Sequence, residues 1–161
     1  MDVSTGPDTC VRLLGLGNEI LADDAFGIRV AREVEQRFGQ AVEVVASSES
    51  GFNLLDQLLG ASRLLVVDTV TSAGGKPGTI HIFEEDSVRP VPGQSPHFIG
   101  LFEVLAVARK LGLDVPRRTT IIAVEAADCS TVGDSMHPDV RAAINRVADW
   151  VGHSLEEEQL R

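Results

Sequence analysis

Apolar and polar residues alternate along this chain in two different rhythms, and the switching between them outlines the elements. Short runs such as VRLLGL, RLLVVD and RTTIIAV are almost continuously hydrophobic, whereas FGIRVAREVEQRF and LFEVLAVARKL repeat their apolar positions every three to four residues. The first pattern fits strands buried on both faces and the second fits helices with one buried stripe. The pattern predicts strand 11–16, helix 24–38, strand 42–46, helix 51–59, strands 63–68 and 79–84, helix 99–111, strand 118–124 and helix 138–151. A strand–helix repeat of this kind predicts a three-layer α/β/α sandwich around a mostly parallel, twisted sheet with right-handed crossovers. The turn-rich stretch TSAGGKPGT leads straight into IHIF, so strand 79–84 is expected to run antiparallel.

At 161 residues and 43% hydrophobic content, the chain is expected to form a single domain spanning 1–161. Its ordered core is expected over about 10–152, between a polar lead-in at 1–9 and a charged tail at 155–161 that are both expected to fray. The net charge of -10 argues against binding to nucleic acid or to anionic lipid. The absence of a long apolar run predicts no membrane insertion. Two cysteines, Cys10 and Cys129, make no disulfide framework, and the first residues lack a basic region followed by an apolar stretch, so a cytoplasmic location is expected.

The candidate chemistry begins where the first strand runs into Gly15-Leu16-Gly17-Asn18 and then delivers the adjacent acids Asp23 and Asp24. A glycine-rich turn after a first strand usually cradles phosphate, but two carboxylates there disfavour an anion and favour a cation, a cationic group or acid–base work. Asp68 closes the run LLVVD, and a buried carboxylate needs a hydrogen-bonding partner, a cation or a ligand. His97 follows Pro96 just ahead of a helix. Open sheets bind ligands at the carboxyl ends of their strands, so these groups can converge, and two carboxylates with one imidazole suit a borderline divalent ion such as zinc or nickel. Each residue also has a plain structural alternative. Asp23 and Asp24 can cap and stabilise a helix start, Asp68 can cap the loop after its strand, and His97 can be a surface residue.

The polar loop Ser47-Ser48-Glu49-Ser50 after the second strand is placed to touch a substrate, with Ser48, Glu49, Asn18 and Asp23 as candidate substrate contacts. Glu125 is a further strand-end acid for which a structural role is favoured. His81, His137 and His153 are read as edge, helix-entry and tail residues, and Cys129 lacks the pattern of a thiol-protease nucleophile.

Three segments in order, GLGNEILADDAFGIRVA, LLVVDTV and SPHFIGL, resemble the signatures of the nickel-iron hydrogenase maturation endopeptidases, over roughly residues 11–151. The resemblance implies a three-layer α/β/α protein that removes the C-terminal extension of a hydrogenase large-subunit precursor after nickel has been inserted. It places the family's metal-contacting residues on Asp24, Asp68 and His97, which are expected to be both the catalytic and the metal-contacting groups. It implies that the nickel arrives with the precursor, so no tightly bound cofactor of the protein's own is expected. The implied partner is the precursor, and a monomer is expected. With such an ion bound, activity is expected to fall on acidification through the histidine range. The segment ASSESG at 46–51 keeps Gly51 but departs from the D-G-G-T type segment that the family commonly has and that is implicated in substrate choice. Two other classes remain: a non-catalytic docking or assembly factor for a nickel protein, and a nucleotide-binding α/β module. The second lacks the third glycine of the dinucleotide fingerprint.

Overall fold

The computed structural model describes residues 10–86, 95, 100–133 and 135–160. The lead-in at 1–9 and His97 lie outside the described residues. Among the described residues five strands form one sheet: β1 (Val11–Leu16), β2 (Glu43–Ser47), β3 (Arg63–Val70), β4 (Ile80–Glu84) and β5 (Arg118–Glu125). Their spatial order is β2-β1-β3-β5-β4, with β4 antiparallel to β5 and the other neighbours parallel. Among the described residues four helices flank it: α1 (Phe26–Phe38), α2 (Leu55–Leu58), α3 (Leu101–Lys110) and α4 (Pro138–Gln159). The expected sandwich and its antiparallel member are both present.

Strand alternation divides the core into two halves. Leu13, Leu65, Val67, Ile122 and Val124 face α1 and α4, where Phe26, Val30, Val34, Val140, Val147 and Val151 close over them. Leu14, Leu16, Leu64, Val66, Ile121 and Ala123 point the other way, onto Leu54, Leu58, Leu101, Val104 and Leu105. β3 is buried along its whole length, which is why its sequence shows no polar alternation. Each fully buried aliphatic side chain here is worth about 1.5–3 kcal/mol.

The structure departs from the expected elements in three places. The helix expected over 24–38 begins with a 3-10 turn at Ala22–Ala25 before α1 proper, and the helix expected over 51–59 is a 3-10 turn at Gly51–Leu54 followed by the single turn of α2. β3 continues past Asp68 to Val70, because Thr69 and Val70 still pair with Val124 and Glu125. The tail is not frayed: α4 runs on to Gln159, about two turns past the expected end. Leu155 packs into the α1/α4 half of the core, and buried Arg63 donates to Glu158 at 2.8 Å and to Ser154 Oγ at 2.7 Å, so that sheet contacts hold the polar end of the helix.

The strand order reverses between β1 and β3: the chain leaves β1 through α1 to one side, and β3 lies on the other. The cleft beyond the carboxyl ends of these two strands is the topological switch point, where such sheets bind ligands.

Candidate functional site

The glycine loop works by steric clearance. A side-chain carbon on Gly27, in the first turn of α1, would sit 2.0 Å from the Leu16 carbonyl oxygen and 2.7 Å from that of Val67. One on Gly15 would lie 2.2 Å from the Gly27 carbonyl oxygen, and one on Gly17 would lie 2.1 Å from that of Asp24. The glycines therefore let α1 and the turn before it press onto the ends of β1 and β3. The turn is locked by the Asn18 N–H, which donates to the Asp24 carbonyl at 3.1 Å, and by the Gly17 N–H, which donates to the Ser47 carbonyl at 3.0 Å. The outcome is that both acids are held inside the protein at the switch point.

Neither acid is a helix cap. The residue preceding α1 is Ala25, and no side chain caps either the 3-10 turn or α1. Asp23 is fully buried and turns inward: one carboxylate oxygen accepts from the N–H groups of Ala127 at 2.7 Å and Asp128 at 3.0 Å, and the other accepts from His137 N–H at 2.7 Å. It thereby fastens the connection between β5 and α4 to the first loop. The same seam is completed by Ala22 N–H to the Thr131 carbonyl, Asp23 N–H to that of Asp128, Gly133 N–H to that of Ile20, and an isolated bridge between Leu21 and Val132.

Asp24 and Asp68 meet at Thr69. The Thr69 hydroxyl lies 3.5 Å from Asp24 Oδ1, and its N–H donates to Asp68 Oδ1 at 2.7 Å. Asp68 is fully buried, on the face of β3 that α3 covers, and its Oδ2 accepts from Ser95 Oγ at 2.5 Å. These hydrogen bonds are what make a carboxylate tolerable at the end of an apolar strand. Among the described residues no group of three or more histidine, cysteine or acidic side chains is arranged to hold a metal ion; the expected set includes His97, which lies outside them.

Nothing in the sequence marks Thr69, and Cys129 lacks a nucleophile pattern; the structure brings the two together beside Asp24. Cys129 Sγ is 3.4 Å from the Thr69 hydroxyl. Burial pushes its thiol up to about 11, and the charges of Asp24, Asp23 and Asp68 push the same way, so the sulfur is held as a neutral thiol. In the same loop, Asp128 accepts from Ser130 and Thr131, and those bonds hold its carboxyl well below the usual range.

The expected substrate contacts divide. Asn18 spends its Oδ1 on Ile20 N–H at 3.2 Å, which shapes the loop, while Ser48 and Glu49 are exposed beside it. Asn18, Ser47 and Ser48 line one shallow depression with Arg32, and Glu49 lines another with Phe52 and Asp56. His137 sits at the entry of α4, as expected, and its Nδ1 accepts from Asp139 N–H. His153 is within α4 rather than in a loose tail, with Nδ1 2.8 Å from the Asp149 carbonyl. His81 is on the edge strand, but it is paired with Glu125 rather than simply facing solvent.

Residues 28–153 match the family model described as hydrogenase maturation protease. The hydrogenase 2 maturation protease of Escherichia coli is 31% identical over 118 residues, which is 71% of each chain. The hydrogenase expression/formation protein HupD of Thiocapsa roseopersicina is 32% identical over 142 residues, and the match takes in 85% of this chain and 63% of that one. In three dimensions, the hydrogenase maturating endopeptidase HybD from E. coli superimposes with a TM-score of 0.76 at 26% identity, over 93% of this chain and 94% of that one.

Proposed function

The chain belongs to the hydrogenase maturation protease family, and on that premise we propose that it is the endopeptidase that removes the C-terminal extension from a nickel-loaded hydrogenase large-subunit precursor. The observation that carries this reading is the meeting of two buried carboxylates, Asp24 and Asp68, at Thr69 over the switch point of the sheet. Such oxygen donors, in a chain of net charge -10, suit a cation presented by a partner. The nickel is part of the substrate in this reading. Asp24 and Asp68 complete its coordination, and His97 is the third contact. What supports His97 is that Ser95, two residues earlier, is hydrogen bonded to Asp68.

The recognised ion then fixes the position of the neighbouring peptide bond, which lies across the carboxyl ends of β1 and β3. Positioning alone removes much of the entropic barrier, and the ion adds polarisation of the scissile carbonyl. Asp23 holds the opposite wall in place, and the exposed Ser48 and Glu49 border the cleft on the β2 side, where the precursor chain would leave it. Asn18 shapes that wall through its loop. The protein acts in the cytoplasm as a monomer and keeps no tightly bound cofactor of its own. Among the described residues no helix is long and apolar enough to cross a membrane.

The test is intact mass of a nickel-loaded precursor before and after incubation, with a nickel-free precursor alongside. Loss of a C-terminal peptide from the loaded form alone is the expected result. Binding without a change in mass would make the protein a docking factor instead, and equal cleavage of the nickel-free form would remove the metal from recognition.

A further inference from the structure

β2 is an edge strand, paired with β1 on one side and, among the described residues, with no strand on the other. The register says which of its backbone groups are left over. Gly17 N–H donates to the Ser47 carbonyl, and in a parallel ladder alternate residues turn both their N–H and their carbonyl to the same neighbour. Glu43, Val45 and Ser47 therefore bond to β1, while Val44 and Ala46 aim their N–H and carbonyl groups outward. Among the described residues no other backbone group bonds to them. Natural edge strands often carry a proline or a mid-strand charge that blunts such a row, yet the middle of β2 is Val44-Val45-Ala46.

This open edge runs into the proposed site, and both faces of the sheet beside it are hollowed. On the α1 side, Ile28 and Arg32 with Asn18, Ala46 and Ser48 line a depression of about 370 Å³. On the opposite side, where Leu54 and Leu58 pack, Phe52, Asp56 and Glu49 line another of about 540 Å³, and Phe52 is 63% exposed. An extended chain laid beside β2 sends successive side chains to alternate faces, so both hollows receive residues from it. The second hollow combines an aromatic ring with two carboxylates and suits an apolar or basic side chain. The far edge of the sheet offers no such path. β5 stands between β4 and β3, and the antiparallel run of β4 puts its carboxyl end away from the cleft.

We infer that the C-terminal extension of the precursor binds as an added strand along the outer edge of β2, antiparallel to it, an inference that rests on the proposed endopeptidase function. The direction follows from the path: the extension leaves the cleft past Ser48, at the carboxyl end of β2, and runs back toward its amino end. A strand added outside β2 lies two to three strand spacings, about 10–14 Å, from β1 and β3, across whose ends the scissile bond is placed. An extended chain covers about 3.3 Å per residue, so the extension reaches the edge about three to four residues beyond that bond. There its backbone bonds to Ala46 and then to Val44. Main-chain pairing supplies affinity with little demand on sequence, and the two hollows read the side chains. The extension is thereby held at a fixed distance from the cation, which sets the register of cleavage.

The experiment measures affinity for nickel-loaded precursor by titration and processing by intact mass. Wild type and Ala46→Pro are each given full-length precursor and precursor cut back to about two residues after the scissile bond. Ala46→Pro removes an outward N–H and none of the ladder to β1, the one setting in which a strand tolerates proline, so its urea midpoint is expected to stay near that of wild type. Wild type is expected to bind the full-length precursor about tenfold more tightly than the shortened one, and Ala46→Pro to bind both as weakly as wild type binds the shortened one. Backbone N-methylation of the extension, one residue at a time, makes the same test without altering the enzyme, and affinity is expected to fall at alternate positions. Full-length affinity of Ala46→Pro within about twofold of wild type would overturn the inference, as would an equal loss on both precursors or N-methyl losses without alternation. So would a wild-type dimer that Ala46→Pro separates with precursor affinity unchanged, since the edge would then pair with a second copy of the chain. A wild type that binds the loaded precursor and never cleaves it would overturn the proposed function, while the affinity comparison would still decide the added strand.

Discussion

Replacing Asp23 tests whether the site is held up by one buried carboxylate. Asp23 accepts three backbone N–H groups, from Ala127, Asp128 and His137, at 2.7, 3.0 and 2.7 Å. Asp23→Ala leaves all three donors without their partner, and an orphaned buried donor costs about 1–3 kcal/mol. Some of that is recovered when water enters the space and when the desolvation cost of the charge disappears, so a net loss of about 3–6 kcal/mol is expected. Asp23→Asn keeps the shape. Its amide oxygen can take the place that serves Ala127 and Asp128, but its NH2 then faces the His137 N–H, which places the loss at about 1.5–3 kcal/mol. With a urea m-value of about 2–3 kcal/mol/M, the midpoint should fall by about 1–3 M for Asp23→Ala and by roughly half that for Asp23→Asn. Release of the β5–α4 connection should also expose Cys129 and speed its alkylation, because Asp23 anchors both residues that precede that cysteine. An Asp23→Ala midpoint within about 0.3 M of wild type would refute the reasoning, as would an asparagine variant no better than alanine.

Asp24→Asn and Asp68→Asn should each slow processing of nickel-loaded precursor by more than about 100-fold, since a metal contact at the reacting centre is worth several kcal/mol; a mass time course within about tenfold of wild type would count against the assignment. Thr69→Val preserves volume and removes the hydroxyl shared by Asp24 and Cys129, so precursor affinity should weaken by about 10- to 100-fold, to be read by titration with loaded precursor. Gly27→Ala forces a methyl against the Leu16 and Val67 carbonyls and should destabilise the fold by about 3 kcal/mol or more in urea, with an unchanged midpoint refuting the close approach. The Cys129 thiol is raised to about 11 in the folded chain, so the unfolded chain ionises first. Its contribution is complete below the ordinary thiol range and is lost as pH rises toward 11, so wild type should lose more Tm between pH 9 and 11 than Cys129→Ser does.

The local sequence determined the five strands, the antiparallel run of β4 and the placing of Asp24 and Asp68 near strand ends, because hydrophobic period and turn residues act over a few neighbouring positions. The family resemblance was carried by three short contiguous segments and was legible for the same reason. It left the partners of those residues open. Asp23 looked like a helix cap or a substrate contact, yet it binds N–H groups more than a hundred residues away in the chain. Glu125 and His81 are 44 residues apart, and Arg63 reaches across 95 residues to hold the end of α4 that composition alone marked as loose. The glycines of the first loop read as a possible phosphate cradle until the packing of α1 on β1 and β3 accounted for them. Which element a segment forms depends mainly on the residues beside it. Which carboxylate braces a loop and which pairs with an imidazole depends on groups brought together only when the sheet closes, and only the tertiary structure decided that.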